Sequence, residues 1–233
     1  MASKKSSKPA ATPKAPPELA AAEIVMNAQD GTILHAKNAD VQRDPASLTK
    51  LATAYMVMRA AESGQIKLDD QIKISAGAAQ LGNNTFDVGV YNDKGEPVLP
   101  QGAVLTYREA LAVMMTSSAN GVAKALGEAL APEKENAKGK MVKGTERDFA
   151  RNMTAVLREE LGLTNSSFIN ASGMNNGGAD QKSNLSTARD LAVLSQRLMK
   201  DFPEYEKLLN AHTATTRVIM PDGQRVTRHS ATT

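Results

Sequence analysis

Apolar residues first gather at Ile24-Val25-Met26 and again at Ile33-Leu34, with the polar turn Gln29-Asp30-Gly31 between them. Two short apolar runs around an Asp-Gly turn predict a β-hairpin. The period then changes. Leu48, Leu51, Tyr55 and Met58 recur at helical spacing, so a helix is expected. Asp44 stands where a cap belongs, Pro45 fits the first turn, where a missing N–H costs nothing, and Gly64 closes the helix. Residues 65–104 lose periodicity and are rich in Gly, Asn and Asp, with "IKIS" and "PVLP" as short extended pieces. Within them, residues 76–100 read either as a cleft rim or as a plain surface loop.

Periodicity returns at Thr106-Tyr107-Arg108-Glu109, a capping-box pattern that opens a helix through Met115. "TSSANG" interrupts it before a second helical run from Val122 to Leu130. Residues 132–144 form a charged connector. A helix over 146–161 follows, with Phe149, Met153, Val156 and Leu157 inward and Gly162 as its stop. After a long turn-rich loop, Ser186 is placed to cap a helix carrying Leu191, Leu194 and Leu198, and the chain ends in a hairpin turning at Pro221-Asp222-Gly223. Strands at both ends with helices between predict a two-lobed α/β (α+β) domain over residues 19–233. Residues 19–64 and about 205–233 would form a sheet lobe and residues 65–204 a mainly helical lobe. In this reading the strands of residues 20–36 and those of the C-terminal region share one sheet, and the helix from Pro45 runs between the lobes. Clefts for ligands tend to form where two such lobes meet.

Composition narrows the chemistry. Hydrophobic residues make up 41% and charged residues 23% of the 233 positions, ordinary values for a globular domain. Aromatic residues are only 3%, with no Trp, which argues against stacking platforms and so against nucleic acid as a partner. The net charge of +3 is small. Residues 1–18 are rich in Lys, Pro and Ala and have almost nothing large and apolar to bury, so they read as a disordered tether. Such a basic segment serves as a plain linker or as an attachment to an anionic membrane or cell-wall surface. No cysteine is present, which removes disulfide and thiolate chemistry. No apolar run reaches transmembrane length, and the N-terminus lacks the apolar core of a secretory signal; the chain reads as either cytoplasmic or a mature exported domain without its leader, and the opening Met-Ala-Ser followed by a Lys/Pro/Ala tether favours the second. His35, His212 and His229 are scattered without a metal-binding spacing, so a zinc peptidase is not expected.

The candidate chemistry sits at two places. Ser47 and Lys50 lie three apart at the start of the first helix, hence on one face. A lysine held against apolar neighbours loses solvation, its pKa falls, and it can take a proton from a nearby hydroxyl. Near the third helical position, Ser47 would also sit where free N–H groups favour developing negative charge. The competing reading is two polar residues opening an amphipathic helix. Ser118-Ala119-Asn120 lies in the break between two helices, where Ser118 could relay a proton and Asn120 could hold a substrate amide and steady the lysine. Alternatively, Ser118 and Asn120 merely cap the next helix.

Taken together, S-x-x-K followed by S-x-N are two of the three motifs of penicillin-binding proteins and class A β-lactamases. The chain resembles the low-molecular-mass penicillin-binding proteins, specifically the serine D-alanyl-D-alanine carboxypeptidases. The resemblance is carried by "DGTILHAKNADVQRDPASLTKLATAYMV", "LTYREALAVMMTSSANGVAKALGE", "LREELGLTNSSFINASGMNN" and "NLSTARDLAVLSQRLMKDFPEY", from about Ala20 to Tyr205. It implies a two-lobed serine transpeptidase/β-lactamase-like fold. By this resemblance Ser47 attacks the penultimate D-alanine carbonyl of a peptidoglycan stem peptide and Lys50 takes its proton. Ser118 helps return the proton to the leaving amine, and Asn120 binds the peptide backbone. β-Lactam antibiotics would acylate Ser47, no metal or organic cofactor is implied, and the site of action would be periplasmic or otherwise extracytoplasmic.

The third motif departs from this pattern. Neither Lys-Thr-Gly nor Lys-Ser-Gly occurs in the chain. Lys143-Gly144-Thr145 has the letters in the wrong order, and His229-Ser230-Ala231 is at most a degenerate version. The resemblance places that motif on a strand beyond the last residue, so a fold incomplete at its C-terminus is expected, by truncation or by completion from another polypeptide. Three relatives of the leading reading follow. A D,D-endopeptidase would use the same motifs. A β-lactamase would need an E-x-x-x-N spacing, but Leu161 precedes Asn165 and Ser166 precedes Asn170 at that distance. A non-catalytic peptidoglycan-binding protein would keep the cleft without turnover.

Overall fold

The structure, a computed structural model, describes residues 21–82, 86–175, 183–209 and 213–231; the proposed tether and His212 lie outside them. Strands β1 (Glu23–Met26) and β2 (Ile33–Lys37) form the expected antiparallel hairpin, with a bulge between Val25 and Met26. Its turn is tied by Asn27, whose Oδ1 accepts from Gln29 N while its own N–H donates to Thr32 O.

Helix α1 (Thr49–Glu62) is apolar around most of its circumference, with Ala52, Ala54, Tyr55, Val57 and Met58 all buried. A helix of that kind belongs in the interior, and α1 packs against α3 (Tyr107–Ser117), α4 (Asn120–Ala129), α5 (Glu146–Leu161) and α6 (Ala188–Asp201). One apolar cluster runs through all five. The short helix α2 (Ala76–Ala79) rests on α4, and α7 (Pro203–Leu209) follows α6. Phe202, between them, meets the Tyr55 ring edge-on, with centroids 5.2 Å apart.

Capping explains several boundaries. Thr106 and Glu109 cap each other at the start of α3, and Thr145 and Asp148 do the same for α5. Gly162 ends α5 in the left-handed conformation that favours glycine. The α6 cap is Thr187, whose hydroxyl accepts from Asp190 N, rather than the expected Ser186. Ser186 Oγ is instead buried against Ser166 Oγ at 2.8 Å.

Sheet pairing departs from expectation. β1 and β2 make a two-stranded sheet of their own among the described residues. The C-terminal hairpin, β7 (Thr213–Ile219) and β8 (Arg225–Ala231), joins β3 (Gln71–Lys73) and β4 (Val104–Thr106) in the order β3-β4-β7-β8. The cause lies on α3 and β7. Val218 is fully buried, and Glu109 of α3 accepts from Arg217 N at 3.0 Å, so β7 is fastened beside the helix that β4 leads into. The connector over 132–144 also holds structure: β5 (Glu133–Glu135) pairs with β6 (Met141–Lys143) around a turn closed by Asn136. Among the described residues no helix is long and apolar enough to cross a membrane.

Candidate active site

Ser47 does not sit inside the α-helix, as its spacing suggested, but in a 3-10 turn over Ala46–Leu48 that leads into α1. Asp44 is not the cap of that turn, whose N-cap is Pro45, but it accepts from Ala46 N at 2.8 Å, and its second oxygen meets the Asn175 side chain. Ala46 has a φ of 46°, a left-handed conformation that costs a non-glycine residue energy and persists only where surroundings enforce it. Gly173 supplies the enforcement. It has a φ of +80°, and a Cβ there would lie 1.7 Å from Ala46 O. The loop carrying Gly173 is therefore pressed against the backbone just ahead of Ser47.

Lys50, one turn further along, is 2% exposed. Its Nζ donates to Ser47 Oγ at 3.0 Å, to Asn120 Oδ1 at 2.8 Å and to Ser172 O at 2.8 Å. Three acceptors match the three protons of an ammonium group, yet all three are neutral. Burial pushes the lysine down to about 8 from its usual value near 10.5. About a tenth of it is thus neutral at pH 7 and half at pH 8, adjacent to Ser47, which is exposed.

The second motif arrives from the other side. Ser118 closes α3 in a left-handed conformation, φ 50°, and α4 begins at Asn120. This break turns Ser118 Oγ toward Ser47 Oγ, to which it donates at 3.0 Å, while Asn120 stays buried against Lys50. All four residues singled out from the sequence, Ser47, Lys50, Ser118 and Asn120, therefore meet in one hydrogen-bonded cluster. The N-cap of α4 is Ala119, between Ser118 and Asn120, which offers no side-chain cap.

Sequence reasoning missed the loop over 170–173. Asn170 Oδ1 accepts from Ser172 N at 3.1 Å and Gly173 N at 2.7 Å, which folds the loop back on itself. Asn184 accepts from Ile169 N and donates to Thr49 Oγ1, fastening the loop to the start of α1. The acceptor offered to Lys50 is a main-chain carbonyl, which leaves no side-chain mark; the run Asn170-Ala171-Ser172-Gly173 was the only available signal. Gly82 touches the site as well, since its O accepts from Asn120 N at 3.2 Å, and Asp87 O accepts from Arg228 of β8. Of the alternative third motifs, Thr145 is spent on capping α5 and His229 pairs with Thr215 on the exposed β7–β8 hairpin.

A profile of the D-alanyl-D-alanine carboxypeptidase family matches residues 9–230. The chain is 32% identical over 195 residues to DacC, a D-alanyl-D-alanine carboxypeptidase of Escherichia coli, in an alignment covering 83% of this chain and 42% of that protein. The crystal structure of the D-alanyl-D-alanine carboxypeptidase DacD from Francisella tularensis superposes with a TM-score of 0.68 at 26% identity, over 91% of this chain and 44% of that one. A penicillin-binding protein from Listeria monocytogenes, solved with ampicillin bound, gives a TM-score of 0.61 at 25% identity, over 90% of this chain and 71% of that one. The chain spans about two-fifths of the length of the curated relatives it matches. The fold is that of the serine D,D-peptidases and, with the family profile covering all but the first few and last few residues, the chain belongs to the D-alanyl-D-alanine carboxypeptidase family.

Proposed function

We propose that the chain carries the acylating site of a serine D,D-peptidase that removes the terminal D-alanine of peptidoglycan stem peptides, with Ser47 as nucleophile. One observation carries this reading: Lys50 is buried with only neutral partners and lies 3.0 Å from the exposed Ser47 hydroxyl. In that position neutral Lys50 takes the Ser47 proton as Oγ attacks the carbonyl of the penultimate D-alanine. The oxyanion forms beside the Ser47 N–H, at the positive end of the turn that leads into α1. As the tetrahedral adduct collapses, the proton passes from Lys50 through Ser118 to the leaving amine, and D-alanine departs. Water then hydrolyses the ester on Ser47 with the same groups acting in reverse. Asn120 holds both Lys50 and the substrate amide. The substrate places this chemistry outside the cytoplasmic membrane, and a β-lactam, which mimics the D-alanyl dipeptide, acylates Ser47. The ampicillin complex of the Listeria relative supports that last step.

A second reading is a relative that binds stem peptides without turning them over. Intact mass after incubation with benzylpenicillin separates the two. One added drug mass, absent in Ser47→Ala, is expected for the peptidase; no adduct on the wild-type chain would leave binding alone. Release of D-alanine from a pentapeptide ending in D-Ala-D-Ala would then establish turnover.

A further inference from the structure

Beyond the four clustered residues, one partly buried carboxylate, 16% exposed, grips two of the pieces that hold Lys50. Glu146, in the first turn of α5, accepts from Ala171 N through Oε1 at 3.1 Å and from Lys124 Nζ through Oε2 at 2.7 Å. Ala171 immediately precedes Ser172, whose carbonyl holds Lys50, and Lys124 lies one helical turn after Asn120 on α4. The two oxygens of one carboxylate thus tie the loop that supplies one Lys50 acceptor to the helix that supplies another. The Ala171 peptide is clamped at both ends, because its carbonyl accepts from Thr53 of α1 at 2.7 Å. Gly127 lets these parts approach: a Cβ there would meet Ala171 Cβ at 3.0 Å and Phe149 at 3.1 Å.

We infer that Glu146 is a positioning residue for the nucleophile's base, holding the Ser172 carbonyl and the Asn120 amide at the distances that seat Lys50 Nζ against Ser47. This assignment rests on the peptidase reading for its consequence in catalysis, but its structural content does not. Other charged groups around Glu146 are Lys73 of β3, Glu128 of α4, Lys143 of β6 and its neighbour Arg147, all lining the same open groove of about 740 Å³. Among the described residues, none of these four hydrogen-bonds to the 170–173 loop. Glu128 is the useful comparison: it pairs with Lys124 at 3.1 Å, as Glu146 does at 2.7 Å, without a hydrogen bond to the loop.

The test follows the titration of Lys50 by NMR of carbon-labelled lysine, with its signal identified by its absence from Lys50→Met. If Glu146→Ala releases the Ser172 carbonyl, the ammonium form loses an acceptor and the Lys50 midpoint falls below the wild-type value. Glu146→Gln keeps an oxygen for Ala171 N and recovers part of the shift, and Glu128→Gln leaves the midpoint where it was. Acylation by benzylpenicillin should slow by about tenfold or more in Glu146→Ala, because small misplacements of a catalytic group are costly. An unchanged Lys50 midpoint in both Glu146 variants, or an equal shift in Glu128→Gln, overturns the assignment. If Glu146→Ala does not fold, as judged by circular dichroism, the comparison of Glu146→Gln with Glu128→Gln decides it. The titration is read without any acylation, so failure of the wild-type chain to react with penicillin would count against the peptidase reading and leave this result standing.

Discussion

Lys50 is where the cost of function is concentrated at the residue scale. A lysine that is 2% exposed and partnered only by neutral oxygens is held at about 8 in the folded state, against 10.5 ordinarily. Below pH 8 both folded and unfolded chains carry its proton, and the full penalty of burying the charge opposes folding. Between about 8 and 10.5 the unfolded chain binds a proton that the folded chain has released, so stability rises with pH across that window. Each pKa unit is about 1.4 kcal/mol, so the total is about 3 kcal/mol. The expected outcome is that wild type gains roughly this amount relative to Lys50→Met when denaturant unfolding is repeated from pH 7.5 to 10.5. A difference that stays flat would mean that folded Lys50 holds its proton as firmly as an exposed lysine does. The rate of acylation should climb through the same midpoint, because only neutral Lys50 can accept the Ser47 proton.

At the scale of elements, the site is assembled from an irregular turn, a helix break and a loop, and these were unequally visible. The helix bearing Phe149, Met153 and Leu157 was legible over 146–161, because a terminal glycine closes a strong apolar period, while its capping Thr145 went unread. Ser47, Lys50, Ser118 and Asn120 were legible as motifs, but the left-handed turns at Ala46 and Ser118 that aim them have no propensity signature. β4 was invisible, since three residues leading straight into a helix show no alternation, and the partner of β7 could not be read from local pattern at all. The 170–173 loop shows why such pieces matter. Gly173→Ala would force a methyl group against Ala46 O, main chain against main chain, so neither side can yield as a flexible side chain could. Acylation by benzylpenicillin is expected to fall by about a hundredfold, while far-ultraviolet circular dichroism stays near wild type. Wild-type acylation in that variant would show that the turn before Ser47 does not depend on the glycine.

For the whole molecule the question is which interactions keep these pieces together, and magnitude decides it. Arg59 of α1 and Glu160 of α5 form an ion pair at 2.6 Å, but both side chains are more than a third exposed. Such pairs contribute about 0–1 kcal/mol because water and salt screen them and two long side chains must be ordered. Phe149, on the same helix as Glu160, is fully buried where α5 meets α4 and the Ala171 loop. Its removal forfeits the transfer energy of a ring and leaves a cavity in a close-packed interior, together about 3–5 kcal/mol. A domain stable by about 5–15 kcal/mol survives loss of the ion pair easily and loss of the ring barely. Urea unfolding should therefore place Arg59→Ala within about 1 kcal/mol of wild type and Phe149→Ala at least 3 kcal/mol below it, with similar slopes. Equal losses would mean that α5 is held by its surface charges, and the contact between Glu146 and the loop beside Lys50 would then weaken steeply with salt. If the ring dominates, added salt leaves that contact in place, and the geometry around Lys50 is inherited from the packing of the core.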